Sequence, residues 1–265
     1  MTERDGVPAT LTLSVGAEGT APFATAEVAG PAFLLDGSPV PFLPGETVLQ
    51  AATRAGRNLP HLCWHPEFPP HGSCRVCSVV ADGRPAIACT LAAAEGQVVD
   101  SATEALKAHR TTLLQMLFVE GNHFCPSCEK SGDCQLQATA IEAGMLGPHF
   151  EEFYPARPVD ASHPDLLLDL NRCILCGLCV RASEQLDGKA VFAIGGHGIG
   201  THLVVDSPSG RLGDSAITLG DRATHICPVG AILPKRRGFV VPIGQRRHDR
   251  APVPPADPEP PGDGP

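Results

Sequence analysis

The eleven cysteines of the chain fall into three spaced groups, and this arrangement limits the fold and the chemistry more than any other feature of the sequence. An odd number of cysteines cannot all pair as disulfides within one chain, and disulfides are rare in reducing compartments. Thiolates are also strong ligands for zinc and for iron-sulfur clusters. The pattern therefore indicates that the cysteines hold metal.

The first group is a C-x10-C-x2-C-x11-C pattern formed by Cys63, Cys74, Cys77 and Cys89. With one close pair in a loop, the chain can wrap a flat 2Fe-2S rhomb and supply two thiolates to each iron. Two alternatives are open: zinc, which usually takes two close ligand pairs, and a Rieske centre, for which Cys63-Trp64-His65 offers both Cys and His. The Cys74-Arg75-Val76-Cys77 half lacks the histidine of a Rieske centre, so the pattern favours a 2Fe-2S cluster.

The second group has the form H-x-C-x2-C-x5-C and consists of His123, Cys125, Cys128 and Cys134. Three close thiolates can occupy three irons of a 4Fe-4S cube, and the fourth iron needs another donor. His123 is the candidate, because neutral imidazole is a common metal ligand and the chain has no twelfth cysteine. In the alternative, His123 only hydrogen bonds in the loop and the cluster takes another ligand. A histidine ligand predicts a raised reduction potential, because imidazole carries one negative charge fewer than thiolate.

The third group is a C-x2-C-x2-C run followed, after forty-seven intervening residues, by a Cys-Pro pair; its members are Cys173, Cys176, Cys179 and Cys227. Such a run is typical of three ligands of one cubane, and Cys-Pro is typical of the remote fourth. The run occurs once, so we expect the remote cysteine to close the same cube. A zinc ribbon with a spare thiol is the alternative. The three groups together predict one 2Fe-2S and two 4Fe-4S clusters.

Charge and composition argue against two other classes of protein. A formal net charge of -9 leaves no basic surface for nucleic-acid phosphates. No apolar run is long enough to span a membrane, and Met1 to Val15 lack the apolar core of a secretory signal, so we expect a cytoplasmic protein. With 28 Gly and 27 Pro, the chain should form small, loop-rich modules that gain stability from bound metal.

The hydrophobic pattern predicts an α+β fold. Two predicted hairpins flank a helix that is capped by Thr47, and this order suggests a β-grasp module. The first hairpin runs from Ala32 to Leu43 with a turn at Asp36-Gly37-Ser38, and the second from Val76 to Cys89 with a turn at Asp82-Gly83. Further helices are predicted from Ala102 to Val119 and over residues 133–144. The predicted divisions are 1–30, a flexible extension; 31–101, a 2Fe-2S ferredoxin-like domain; 102–147, a helical 4Fe-4S module with one His and three Cys ligands; 148–236, a small ferredoxin-like 4Fe-4S module; and 237–265, a C-terminal tail that is Pro-rich and disordered from 250.

No catalytic motif accompanies the metal-binding groups. The sequence has no P-loop, and the glycines from Gly195 to Gly200 precede a strand-like run, His202 to Val205, rather than a helix. These glycines are therefore interpreted as a turn and not as a dinucleotide site. A chain with three clusters and no catalytic residues is predicted to pass electrons, while the substrate chemistry lies on partner chains.

Several motifs resemble a known family. They are G-N-H-F-C-P-S-C-E-K-S-G from Gly121 to Gly132, C-Q-L-Q from Cys134, C-P-V-G from Cys227 and Pro242-Ile243-Gly244. Their order resembles the N-terminal part of the large iron-sulfur subunit of respiratory complex I. It is more similar to the small iron-sulfur subunit, called gamma or diaphorase, of the soluble NAD-reducing nickel-iron hydrogenase, because complex I usually has three residues between the histidine and the first cysteine. The resemblance covers about residues 32–248.

The resemblance implies a subunit of an oxidoreductase complex that relays single electrons and has no catalytic residue of its own. The implied partners are a diaphorase subunit that binds FMN and NAD(H), and the small and large hydrogenase subunits with the nickel-iron centre, which together interconvert H2 plus NAD+ and NADH plus a proton. Three alternatives are kept open: an equivalent relay in an NAD-linked formate dehydrogenase or a complex I-like NADH dehydrogenase, a stand-alone ferredoxin-like carrier, and a zinc-stabilised interaction module.

Overall fold

The computed structural model describes residues 30–249, and within that range the chain has the mixed α and β content that the sequence predicts. The elements are β1 Ala32–Leu35, β2 Ser38–Pro41, α1 Val48–Arg54, β3 Ser78–Ala81, β4 Arg84–Ile87, β5 Val98–Asp100, α2 Glu104–Val119, α3 Gln135–Glu142, β6 Val159–Asp160, β7 Leu166–Asp169, α4 Leu178–Gln185, β8 Phe192–Gly195, β9 His202–Val205, α5 Arg222–His225 and β10 Ile232–Pro234. Apart from Gly30, the predicted flexible extension lies outside the described residues, as does the predicted disordered tail from 250.

A five-stranded sheet with the order β2-β1-β5-β3-β4 forms the N-terminal part. Both predicted hairpins are confirmed, and at each turn the Asp and the Gly have positive φ, 49° and 76° at Asp36 and Gly37. This conformation suits two-residue hairpin turns and is accessible to Asp and Gly. The sequence prediction missed β5, which pairs in parallel with β1 and antiparallel with β3 at the centre of the sheet.

Helix α1 packs its apolar side on this sheet. Thr47 caps the helix in a capping box with Gln50, as the sequence predicts for the cap. The buried side chains of α1 join Phe33, Leu35 and Val99 of the sheet in one core, which also includes Cys77 and Cys89. Because each fully buried Leu or Val contributes roughly 1.5–3 kcal/mol, this core fixes the backbone that carries two cysteines of the first group.

Helix α2 crosses from the sheet to the second group of cysteines. Thr103 caps it, Leu106 and Leu114 are buried along the predicted apolar stripe, and α3 lies within the predicted range of 133–144. Arg110 is also buried, which the pattern did not predict; its guanidinium donates to the backbone oxygen of Val76 at 3.0 Å. This bond ties α2 to the loop of the first group.

The C-terminal part contains the three-stranded sheet β10-β7-β6 and the hairpin β8-β9. The predicted strand-like run His202 to Val205 is β9, and the preceding glycines form the end of β8, a turn and a 3-10 helix, Gly198–Gly200. These glycines therefore connect two strands, as the sequence interpretation required. Among residues 30–249, no helix has both the length and the apolar character needed to cross a membrane.

One hydrophobic core is shared by all three predicted modules. Its buried members come from segments far apart in the chain: Leu62, Val76, Leu114, Leu136, Val229 and Ala231. Leu62 and Val76 belong to the loop of the first group, Leu136 follows the second, and Val229 follows Cys227 of the third. We call this set the junction core.

Candidate metal centres

The four cysteines of the first group meet in two pairs. The thiol of Cys63 hydrogen bonds with that of Cys74, and the thiol of Cys77 with that of Cys89. Within the first pair, this bond lowers the pKa of Cys63 to about 4 and raises the pKa of Cys74. A 2Fe-2S rhomb needs two thiolates on each iron, so the pairing fits this cluster.

The loop between Leu62 and Cys77 directs backbone N–H groups at these sulfurs. The N–H of Cys74 donates to Cys63 Sγ at 3.4 Å, and the N–H groups of Ser73 and Gly72 hydrogen bond with Cys63 and Cys89. Gly72 has a φ of +70°, and a Cβ at this position would lie 3.2 Å from Thr90 Cγ2. Glycine is therefore the residue that lets the loop come this close, and the N–H donors favour the thiolate form of both cysteines.

The four residues of the second group line one small cavity, together with Phe118, Leu136 and Arg172. His123 packs edge-on against Phe118 with ring centroids 5.3 Å apart. Its Nε2 is buried and has no hydrogen-bond partner among the described residues. Burial lowers the pKa of His123 to about 4, so the imidazole is neutral at pH 7. A neutral, unpartnered ring nitrogen beside three thiols fits a metal ligand.

Glycines bring the backbone against this group at two positions. A Cβ on Gly230 would lie 2.8 Å from Cys128 Sγ, and a Cβ on Gly121 would lie 2.7 Å from His123 Nε2. Both glycines belong to the motifs that carry the family resemblance. Cys134 stands at the N-terminal cap of α3, so the helix fixes the third thiol.

The third group lines a second small cavity, with all four of its cysteines on the wall. Leu175 and Gly177 have positive φ values of 53° and 71°, which turns the C-x2-C-x2-C run around the cavity before α4 begins. Burial raises the pKa of Cys173 to about 11 and raises the pKa of Cys176 and Cys179 as well. The free thiols are therefore protonated at pH 7, and metal binding must displace these protons.

Cysteines from all three groups pack against the junction core; they are Cys74, Cys134, Cys173 and Cys227. Cys63 of the first group also shares a hydrophobic core with Cys176 and Cys179 of the third, which places these two groups beside each other. Among residues 30–249, no three Cys, His, Asp or Glu side chains converge tightly enough to hold one metal ion. The second and third groups surround cavities instead.

Hydrogen bonds connect the loops of the three groups. Gln135, which follows Cys134, donates its N–H to Pro228 O at 2.8 Å and its side-chain Nε2 to His61 O at 2.7 Å. No role for Gln135 was predicted from the sequence, although it lies in the C-Q-L-Q motif. A single residue of the second loop is thus bonded to the loops of the first and the third group.

A C-terminal segment, residues 244–249, also packs on the loop of the second group, a contact that no sequence pattern indicates. Arg246 Nη1 donates to Ser131 O at 3.1 Å, and the N–H of His248 donates to Gly132 O at 2.9 Å. These bonds cover the loop between Cys128 and Cys134. The second cavity is therefore supported by chain segments more than a hundred residues apart.

Family models match three parts of the chain. Residues 32–104 match a 2Fe-2S iron-sulfur cluster binding domain, residues 110–149 match the NADH-ubiquinone oxidoreductase-G iron-sulfur binding region, and residues 166–233 match a 4Fe-4S single cluster domain. With the cysteine geometry, these matches define an iron-sulfur protein that has separate 2Fe-2S and 4Fe-4S domains.

Comparison with individual relatives identifies the family more specifically. The chain is 37% identical to the gamma chain of the NAD-reducing hydrogenase HoxS of Cupriavidus necator over 81% of this chain and 92% of the relative. A chain in the crystal structure of an NAD+-reducing NiFe-hydrogenase in the H2-reduced state is 58% identical, with a TM-score of 0.82 and coverage of 86% of this chain and 97% of that one. The protein belongs to the family of gamma subunits of NAD-reducing hydrogenases, which confirms the resemblance seen in the motifs.

A more distant likeness concerns complex I. The chain is 30% identical to a subunit of the NADH-quinone oxidoreductase of Rickettsia prowazekii over 81% of this chain but only 32% of that relative. The chain thus spans about a third of the NADH-quinone oxidoreductase relative and nearly all of the hydrogenase relative. The complex I-like alternative is therefore not favoured.

Proposed function

We propose that this chain is the electron-relay subunit of an NAD-reducing hydrogenase and holds one 2Fe-2S and two 4Fe-4S clusters. The 2Fe-2S ligands would be Cys63, Cys74, Cys77 and Cys89. The ligands of one 4Fe-4S cluster would be His123, Cys125, Cys128 and Cys134, and those of the other Cys173, Cys176, Cys179 and Cys227. The proposed modules are 31–101, 102–147 and 148–236.

One observation carries the proposal: all eleven cysteines and His123 gather in three groups that meet at the junction core. Bound clusters would supply one-electron transfer, which flavin chemistry needs on one side and hydrogen chemistry on the other. A relay needs its clusters close together, and the shared junction core brings the three groups next to one another through apolar side chains.

The residues of the chain prepare the three sites in different ways. Backbone N–H groups at Gly72, Ser73 and Cys74 favour thiolates in the first group, whereas burial keeps the free thiols of Cys173, Cys176 and Cys179 protonated. His123 is already in the neutral form that binds metal. Assembly at the third group should therefore release protons, and assembly should also contribute to folding stability.

The proposed partners are a flavin- and NAD(H)-binding diaphorase subunit and the small and large hydrogenase subunits. The apolar side chains exposed just before the C-terminal segment support a role in an assembly, since contiguous exposed apolar patches mark interaction surfaces. They are Phe239, Val240, Val241 and Ile243, with exposures between 52% and 84%. A stand-alone carrier would have no use for such a patch.

The test uses the full complex with Cys176→Ala in this chain. We expect NADH oxidation by an artificial dye at the flavin subunit to survive, because it does not need the relay. H2-dependent NAD+ reduction should fall at least about tenfold. Glu184→Ala, an exposed change on the same helix, is the control and should keep both activities. Equal retention of both activities in Cys176→Ala would contradict the proposed function.

A further inference from the structure

An ion pair lies beside the cavity of the second group. Arg172 lines this cavity with His123 and the three cysteines, and its side chain is only 17% exposed. Its Nη1 donates to Glu129 Oε2 at 2.9 Å, and its Nε forms an ion pair with Asp169 Oδ2 at 2.9 Å. Arg172 directly precedes Cys173, and Glu129 directly follows Cys128, so the pair joins two ligand loops.

The positive charge of Arg172 and the negative charge of Glu129 have opposite effects on a cluster that gains negative charge in the cavity. Cys128 and Arg172 already interact electrostatically, and so do Cys125 and Arg172. Reducing a cluster adds one negative charge, so a nearby cation favours the reduced form and a nearby anion opposes it. Partial burial strengthens both effects, because water screens the charges less than it would on an open surface.

We propose that Arg172 and Glu129 are positioning residues whose paired charges set the reduction potential of the cluster held by the second group, Arg172 raising it and Glu129 lowering it. The inference rests on the proposed function, because it requires a 4Fe-4S cluster at this group. It assigns a role to two residues that do not touch iron. Imidazole ligation removes one negative charge from the site, and the ion pair adjusts the potential further.

The experiment compares Arg172→Gln with Glu129→Gln in the full chain purified anaerobically. Both variants abolish the ion pair between Arg172 and Glu129, but they remove charges of opposite sign, and Arg172→Gln also removes the ion pair with Asp169. Glu129→Gln keeps a side-chain oxygen that can accept the hydrogen bond, so the loop geometry is retained. Arg172→Lys keeps the cation and serves as the matched control. The cluster signal is followed by EPR during a redox titration, and the signal lost in Cys134→Ser identifies the second group.

Arg172→Gln should shift the equilibrium about tenfold toward the oxidised cluster, which is about 59 mV for a one-electron couple. Glu129→Gln should shift it in the opposite direction, and Arg172→Lys should stay near the parent. If the ion pair has a purely structural role, the reduction potential should shift in the same direction in Arg172→Gln and Glu129→Gln. That result, or unchanged potentials in both variants, would overturn the inference. If Arg172→Gln fails to assemble the cluster, the result for Glu129→Gln decides alone. In that variant, a shift toward the oxidised cluster or an unchanged potential contradicts the inference. A parent chain without the second 4Fe-4S signal would instead contradict the proposed function.

Discussion

The guanidinium of Arg181 donates a hydrogen bond of 2.7 Å to the backbone oxygen of Cys63. Arg181 lies on α4 two residues after Cys179, so the helix that carries a cysteine of the third group is bonded to a cysteine of the first. The same guanidinium lies 5.1 Å from the ring centroid of Phe68 and donates to Pro69 O at 3.0 Å. One side chain thus connects two proposed cluster sites.

Replacing Arg181 should weaken this connection. Arg181→Met keeps the apolar stem but loses two charged hydrogen bonds and the contact with Phe68, so we expect the free energy of unfolding to fall by about 2 kcal/mol. Chemical denaturation of the full chain measures the change. Arg84→Met, at an exposed position on β4, is the control and should have little effect. Equal losses in the two variants would show that the connection does not contribute to stability.

The proposed ligation by His123 predicts how the cluster responds when this residue is exchanged for cysteine. His123→Cys should still assemble a 4Fe-4S cluster, because a thiolate can bind where imidazole does, but the added negative charge should lower its reduction potential. EPR-monitored titration of the anaerobic protein measures this potential. His109→Cys, an exposed change on α2, should leave it unaltered. An unchanged potential and spectrum in His123→Cys would mean that His123 does not ligate the cluster.

Gly230 predicts a steric effect at the same site. In Gly230→Ala the new Cβ would lie 2.8 Å from Cys128 Sγ, a distance that the structure can relieve only by moving the ligand or the loop. We expect loss of at least half of the second cluster signal and a lower iron content. Gly220→Ala is the matched control, since its Cβ would meet nothing within 4 Å. Full cluster content in both variants would contradict the close packing of Gly230 against Cys128.

Asp221, in the segment that precedes Cys227, predicts that the stability of the fold depends on pH. Burial opposes ionisation of Asp221, but hydrogen bonds from Lys189 and Thr218 outweigh it and hold the pKa of this carboxyl below its ordinary value. A lowered folded-state pKa gives stability that is present above the ordinary pKa and is lost as pH falls through the folded-state pKa.

Asp221→Asn should therefore cost about 1 kcal/mol at pH 7, and the difference from the parent should shrink at acidic pH below about 4. Urea denaturation at several pH values measures both quantities. Asp206→Asn, at an exposed position, is the control. A difference between Asp221→Asn and the parent that stays constant down to pH 3 would rule out ionisation of Asp221 as its cause.

The parts of the fold that follow from local chemistry could be predicted from the sequence. The Asp-Gly pairs at 36–37 and 82–83 specify tight hairpin turns, and Thr47 specifies a helix start, because each depends on neighbouring residues. Strand β5 could not be predicted in this way. Its three residues pair with strands that are distant in the chain, and so short a run carries no distinctive pattern.

The same distinction between features set by neighbouring residues and features set by distant residues applies to the candidate metal centres. Cysteine spacing indicates which residues act together, because each group includes closely spaced members. The partners that hold the groups in place are distant in sequence: Gln135 bonds to His61, Arg181 to Cys63, and Arg172 to Glu129. Such contacts depend on how the modules pack against one another. Neither the periodicity nor the residue spacing of a single sequence indicates this packing.

The proposal that the chain holds three iron-sulfur clusters is tested most directly by iron and acid-labile sulfide per chain in anaerobically purified protein. We expect about ten of each, with EPR signals from both a 2Fe-2S and 4Fe-4S clusters after dithionite reduction. Zinc with little iron, or a content near two irons per chain, would contradict the three-cluster proposal.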